Sequence, residues 1–254
     1  MLTRLVLLAL ALSNLNLLAS SSDDWSLGIG AFDRGDYKIA VSHFEALLEE
    51  DSAKGHVLYN LGNAYFKQGR VGAALAAYYS ARPLLPRDPD LKANIGFVEK
   101  KVSDQLEAFL PAPFWRKSLF WTGHLSFFET TMLSSLVFGL GLGVIGVGLW
   151  VRQLRRNSIF FGCILLVVAG ILGGGGLAVH IAEPTWGAVD AASTEVFAGP
   201  NAESTQLFKL NEGAPIMIHG KEDSWVKVAL SDGKQGWLPA EAVKFFDTKG
   251  ALSL

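Results

Sequence analysis

The clearest periodic pattern in the N-terminal part is "YNLGNAYFKQGRVGAALAAYYSARPLLPRDP", residues 59–89. Apolar and small residues recur every three or four positions on both sides of Gly69. This spacing predicts two amphipathic helices joined by a turn at that glycine. Pro86 ends the second helix, because proline has no backbone N–H and clashes with the preceding turn.

The same pattern occurs once more, 34 residues earlier. The matching positions are Leu27-Gly28 with Leu61-Gly62, Gly35 with Gly69, Ala40 with Ala74, and Phe44 with Tyr78. We expect the small residues to let the two helices of a unit pack closely, and the aromatic residues to fill the space beside the next unit. A further helix within "PDLKANIGFVEKKVSDQ", residues 89–105, has Ile95-Gly96 at the Leu-Gly position. A helix-pair repeat of this length predicts a stacked helical solenoid.

These residues resemble the tetratricopeptide repeat (TPR) family, and the resemblance covers residues 22–108 as about two and a half repeats. It implies an all-α helical stack that binds extended peptides or partner helices on its concave face, which first helices line. Carried over by position, the peptide-binding candidates are Trp25, Tyr59, Asn60, Asn63, Lys67 and Asn94. An asparagine amide can donate to and accept from a peptide backbone at once. The alternative is that Asn60 and Asn63 are only consensus residues of a helix face.

Two uncharged apolar runs follow, and each is long enough to cross about 30 Å of hydrocarbon as a helix. They predict transmembrane helices over 130–151 and 158–181. Small residues four positions apart let helix backbones approach closely. Such spacing predicts a role in hairpin packing, or in dimerisation, for Gly139, Gly143, Gly146, Gly170 and Gly174. The alternative is that these glycines are merely tolerated in lipid.

The loop between the two runs, 152–157, fixes the predicted orientation. It contains Arg152, Arg155 and Arg156 and no acidic residue, and arginine in short loops stays on the cytoplasmic side. Independently, residues 1–21 have the layout of a secretory signal cut before Ser22, or of an uncut N-terminal anchor. Both patterns predict an inner-membrane protein whose flanking regions lie on the periplasmic side.

An aromatic segment, residues 109–129, precedes the first apolar run. Phenylalanine and tryptophan pairs recur there six and seven residues apart, which predicts an interfacial helix with its aromatic side chains at headgroup depth. The alternative is a helix that packs these aromatic side chains onto the repeat stack.

From residue 185 short β-rich runs alternate with turns, and Asp232-Gly233 is a strong hairpin signal. The pattern predicts five short strands in a small barrel over 185–247, followed by a tail over 248–254. Its order resembles a bacterial SH3 (SH3b) domain, with Gly213 leading the second strand and Trp225 beginning the third. Trp225 and Trp237 either fill the barrel or cover its seam, or they stack on a peptide or sugar.

Composition narrows the function classes. The formal net charge of −2 gives no basic excess for nucleic acid. One cysteine among 254 residues leaves no internal disulfide and no Cys/His metal cluster. None of the five histidines has a partner at catalytic-motif spacing. We therefore expect a non-enzyme without cofactor or metal.

The predicted fold class is a multidomain membrane protein: an all-α TPR repeat, a two-helix transmembrane hairpin and a small all-β SH3-like barrel. This order resembles BatE-type proteins of the bacterial aerotolerance operon (Bat) family. The resemblance implies a scaffold in envelope stress or oxygen tolerance. It also implies partners, namely von Willebrand A-domain membrane proteins and, indirectly, a MoxR-type ATPase. The alternative is a cell-wall protein that binds peptidoglycan through the SH3b domain.

Overall fold

The structure is a computed structural model that describes residues 23–49, 55–102 and 118–246. The described residues form two compact units. The first unit combines the N-terminal helices with the C-terminal strands, and the second contains the two apolar helices together with the segment Pro83–Asp88. The predicted signal segment, 1–21, residues 109–117 of the predicted interfacial segment and the whole predicted tail, 248–254, lie outside the described residues.

Five helices form the TPR-like part of the first unit. They are α1 over 23–33, α2 Tyr37–Glu49, α3 Gly55–Lys67, α4 Val71–Ala81 and α5 Pro89–Glu99. The turns between α1 and α2 and between α3 and α4 each place a glycine in the left-handed region, Gly35 at φ 85° and Gly69 at φ 82°. Glycine adopts this conformation without steric cost, so the repeated glycines set the two turns.

The small residues of the repeat pack as the 34-residue pattern predicts. A Cβ on Gly28 would lie 2.7 Å from the Phe44 ring, and one on Gly62 would lie 2.5 Å from the Tyr78 ring. Both rings are buried. Within each pair, the two helices approach closely because the glycine of the first helix has no side chain where the aromatic ring of the second helix lies.

The C-terminal part of the first unit is an antiparallel sheet of seven strands, where the sequence predicted five. The strands are β1 Thr185–Val189, β2 Ser193–Phe197, β3 Gln206–Asn211, β4 Pro215–Glu222, β5 Trp225–Ala229, β6 Gln235–Pro239 and β7 Val243–Phe245. Their order is β3-β2-β6-β5-β4-β1-β7. The core is aliphatic, with Val226, Val228 and Leu238 all fully buried. The sheet thus has the SH3-like, all-β form.

The second unit is a pair of long apolar helices, α6 Phe127–Trp150 and α7 Arg155–Ala182, joined by a 3-10 turn at Arg152–Leu154. Both are long and apolar enough to cross a membrane by length and composition, and most of their surface is exposed. Ser126 and Glu129 form a capping box at the start of α6, which satisfies backbone donors that a helix end leaves free.

The glycines that pack between α6 and α7 are not the predicted ones. A Cβ on Gly139, Gly143, Gly146, Gly170 or Gly174 would meet nothing within 4 Å. The prediction that these five glycines pack the hairpin is therefore wrong.

The contact runs instead along small residues seven positions apart. On α6 these are Gly141 and Gly148, and on α7 they are Gly162, Ala169 and Gly176, all buried. A Cβ on Gly162 would overlap the Ile145 side chain and lie 2.9 Å from the Gly141 carbonyl oxygen. Seven residues make two helical turns, so this spacing keeps a seam on one face of a helix pair, whereas the four-residue motif lies on another face.

Candidate functional site

Three of the predicted peptide-binding residues come together where α3 and α5 lie side by side. The Asn94 Nδ2 donates to the Asn63 Oδ1 at 2.9 Å and to the Tyr59 hydroxyl at 3.3 Å. The Tyr78 hydroxyl, from α4, donates to the same Asn63 oxygen at 2.7 Å. The TPR resemblance assigned these residues to the concave face, and it did not predict that Tyr59, Asn63 and Asn94 bond to one another.

These bonds fix the orientation of both amides. Asn63 accepts through its oxygen and Asn94 donates through its nitrogen, so the Asn63 amide nitrogen and the Asn94 amide oxygen make no hydrogen bond to a described residue. Both side chains are half-buried. Burial raises the pKa of Tyr78 above its ordinary value of 10.0, so its hydroxyl stays a donor. We call Asn63 and Asn94 the amide pair: it offers one donor and one acceptor, which is what an extended backbone requires.

The other predicted candidates have local contacts. The Asn60 Nδ2 donates to the His56 carbonyl oxygen of its own helix at 2.9 Å. The Trp25 ring lies 6.0 Å from the Phe44 ring, between α1 and α2. Lys67 is exposed at the end of α3. None of these contacts joins the amide pair.

An aromatic contact that the sequence did not predict lies about one turn further along the same two helices. The Phe66 and Phe97 rings meet edge to face at 5.8 Å. The Lys101 Nζ lies 6.0 Å from the first ring centroid and 5.2 Å from the second. We call these three residues the aromatic strip. Phe66 and Phe97 are 31 residues apart, as are Asn63 and Asn94, and this shared interval was the signal that could have revealed the strip.

The opposite side of the helical stack is occupied by the SH3-like sheet. Helix α4 has ten buried residues out of 11, because α3 and α5 cover one side of it and β1 and β7 the other. A Cβ on Gly72 would overlap the carbonyl oxygen of Val189, the last residue of β1. The TPR-like helices and the sheet are therefore packed together within one unit rather than being two separate modules.

Two acidic residues of the sheet region cap the first turn of α4. Asp190 accepts from the Ala73 backbone N–H at 3.0 Å and from the Arg70 guanidinium at 2.5 Å. Glu212 accepts from the Gly72 backbone N–H at 3.2 Å. The helix has no side-chain cap from its own N-cap residue, Arg70. Because helix N-termini leave unpaired donors and favour negative charge, these carboxylates replace the missing cap.

A second group of contacts joins α2, α3 and β7. The Lys244 ammonium donates to the Glu45 carboxylate at 2.9 Å, and the Tyr65 hydroxyl donates to the same carboxylate. Burial pushes the pKa of Glu45 upward, but the hydrogen bonds from Lys244 and Tyr65 outweigh it and leave that pKa below its ordinary value. Glu45 is therefore held as the charged acceptor between helix and strand.

The two tryptophans predicted as SH3b candidates lie on the outer side of the sheet. Trp225 packs edge to face on Phe197 at 5.5 Å, and Phe197 pairs with Trp237 across β2 and β6. All three are half-buried. They cover the junction of β2 and β6 and take no place in the aliphatic core. We call Phe197, Trp225 and Trp237 the aromatic patch.

Two stretches of the chain match families of interaction modules. The tetratricopeptide repeat family model matches residues 26–89, and the bacterial SH3 domain model matches residues 192–244. Comparison with curated proteins finds no match. Both matched modules are typically non-catalytic and bind proteins or, for the SH3 type, cell wall.

Proposed function

We propose that the protein is a membrane-anchored adaptor that binds an extended segment of a protein partner along α3 and α5. The observation that carries the proposal is the amide pair, in which the Asn63 nitrogen and the Asn94 oxygen are oriented by bonds to Tyr59 and Tyr78. A peptide backbone that bonds to a pre-oriented amide loses less freedom than one that must order it.

The sheet supports the choice of this face. Among the described residues, it contacts the start of α4 through Asp190 and Glu212, away from Tyr78, which bonds to the amide pair. The docked sheet also holds α4, and with it Tyr78, in place. The adaptor role therefore uses the SH3-like region as support for the helices.

The two apolar helices support anchoring in the inner membrane. With Arg152, Arg155 and Arg156 retained in the cytoplasm, the helical stack and the sheet both lie in the periplasm. The order of TPR repeat, apolar hairpin and SH3b domain resembles BatE-type proteins. On that resemblance we propose an aerotolerance or envelope-stress complex whose partners are von Willebrand A-domain membrane proteins and, indirectly, a MoxR-type ATPase.

Capture of partners by the full-length chain in mild detergent tests this function. We expect wild type to retain von Willebrand A-domain proteins, and the double variant Asn63→Ala with Asn94→Ala to lose most of that capture. Asn201→Ala, an exposed asparagine in the sheet region, is the matched control, and circular dichroism checks that each variant is folded. If the double variant still captures these proteins, the proposal that the partner binds on the face with the amide pair is wrong.

The aromatic patch favours a second candidate function, binding of peptidoglycan. Tryptophan faces stack on sugar rings and peptides, and Trp225 and Trp237 share the outer face with the exposed Lys227. Sedimentation of the full-length protein with purified cell wall is the test. Loss of sedimentation in Trp225→Ala supports wall binding, whereas wild-type protein that stays in the supernatant argues against it.

A further inference from the structure

The aromatic strip continues the line of the amide pair toward the C-terminal ends of α3 and α5. On α5, Phe97 follows Asn94 by three residues, and residues at this spacing share one face of a helix. Lys101 lies in the turn just after α5 ends at Glu99. Phe97 is 55% exposed although its ring touches Phe66, so an apolar surface lies open directly beside the amides.

We propose that this strip reads a short motif in the bound peptide: an apolar side chain followed two positions later by an acidic one. The apolar side chain packs on Phe66 and Phe97, and the carboxylate pairs with Lys101. The inference rests on the proposed peptide-binding function and names the class of peptide.

The distance between the Lys101 ammonium and the two rings predicts how many residues separate the two side chains of the motif. With a helical rise of about 1.5 Å per residue, Asn94 and Phe97 are about 4.5 Å apart along the axis of α5. An extended peptide advances about 3.3 Å per residue, and its side chains alternate between faces. Two side chains on the same face are therefore about 6.6 Å apart. That distance matches the 5.2–6.0 Å between the Lys101 Nζ and the two ring centroids.

The positive charges near the aromatic strip predict that the second residue of the motif is acidic. The charged group in contact with the two rings is the Lys101 ammonium, and the exposed Lys67 follows Phe66 directly in sequence. Glu99 points its carboxylate the other way, where it accepts from the Tyr79 hydroxyl of α4 at 3.1 Å. A peptide carboxylate at this end therefore meets cations, and a peptide lysine meets repulsion.

Fluorescence polarisation of short labelled peptides, capped at both ends, tests the motif on the full-length protein in detergent. In a glycine–serine background the first peptide carries phenylalanine and, two positions later, glutamate. The second has lysine in place of glutamate, the third has the glutamate directly after phenylalanine, and the fourth has serine in place of phenylalanine. We expect the first to bind about threefold to tenfold more tightly than each of the others.

Variants separate the strip from the amide pair. Lys101→Glu should reverse the preference from the glutamate to the lysine peptide, and Phe97→Ser should remove the advantage of phenylalanine. Lys92→Glu, exposed on another side of α5, should change neither. Equal binding of the first two peptides, or no binding of the first at about 1 mM, overturns the motif. If the peptide test fails but the double variant Asn63→Ala with Asn94→Ala abolishes partner capture, the adaptor function stands and the motif alone is wrong. If the peptide test fails and the double variant still captures partners, both the motif and the adaptor function are wrong.

Discussion

The carboxylate of Asp190, just after β1 of the SH3-like sheet, accepts a hydrogen bond from the backbone N–H of Ala73 at the start of α4, 3.0 Å away. The two residues are 117 positions apart, and the apolar hairpin lies between them in sequence. A helix of the TPR-like stack is thus capped by the domain that follows the hairpin. The stack and the sheet consequently depend on each other for stability.

Replacing Asp190 by alanine should lower the free energy of unfolding by about 1–3 kcal/mol, because it removes a helix cap and leaves the Ala73 donor without its partner. Chemical denaturation of the full-length protein in detergent, followed by circular dichroism, measures the change. Glu195→Ala is the matched control, since Glu195 is an exposed acid on β2 of the same sheet. Equal stability of the two variants would show that the cap contributes nothing.

Stability should fall in acid through Glu45. Its pKa in the folded protein is below the ordinary value of 4.5 because hydrogen bonds from Lys244 and Tyr65 outweigh the effect of burial. A group with a lowered folded pKa contributes stability that is complete above its unfolded pKa and is lost as the pH falls through its folded pKa. Chemical denaturation at a series of pH values from 7 to about 3 gives the free energy of unfolding at each pH. Below the ordinary pKa of a glutamate, this free energy should fall less steeply with decreasing pH in Glu45→Gln than in wild type. Parallel curves would contradict this role of the Glu45–Lys244 pair.

The stability of the helix pair should depend on glycines of the seven-residue seam and not on glycines of the four-residue motif. Gly162→Val pushes its side chain into Ile145 and the Gly141 backbone, so it should destabilise the helix pair by about 1–3 kcal/mol. Gly143→Val adds the same atoms where nothing lies within 4 Å and should leave the pair intact. Resistance to unfolding by SDS measures both. A larger loss in Gly143→Val than in Gly162→Val would point to dimerisation through the four-residue motif.

The proposed orientation can be measured with single cysteines. In a Cys163→Ala background, which removes the one natural cysteine, His219→Cys on β4 and Gln153→Cys in the turn between α6 and α7 each introduce one thiol. A membrane-impermeant maleimide added to spheroplasts should label position 219 at once and position 153 only after lysis. Labelling in the opposite order would place both flanking regions in the cytoplasm.

The sequence was sufficient to predict the features of the fold that depend on local residue patterns. The 34-residue repeat indicated the packing of Gly28 against Phe44 and of Gly62 against Tyr78, and alternation with turn residues indicated an SH3-like sheet. Local periodicity was sufficient for these features. The contact between Asn63 and Asn94 did not follow from the repeat, because these residues are 31 positions apart, whereas the 34-residue repeat pairs Asn94 with Asn60.

The remaining features depend on contacts between distant segments. The docking of the sheet on α4 was not predicted, since neither Asp190 nor Gly72 carries a local motif for it. The hairpin seam was misassigned because α6 and α7 contain small residues at both four- and seven-residue intervals, and only the pairing of the two helices selects one set. The number of strands was underestimated because β1 and β7 are short and pair with each other.

Site-specific photocrosslinking in cells tests whether the face formed by α3 and α5 holds a partner protein. A photoreactive amino acid replaces either Ala93, an exposed residue about one helical turn before Phe97 on α5, or Lys227, beside the aromatic patch. We predict that irradiation joins position 93 to a distinct membrane protein while position 227 yields no protein adduct. Adducts from position 227 together with none from position 93 would contradict the adaptor function.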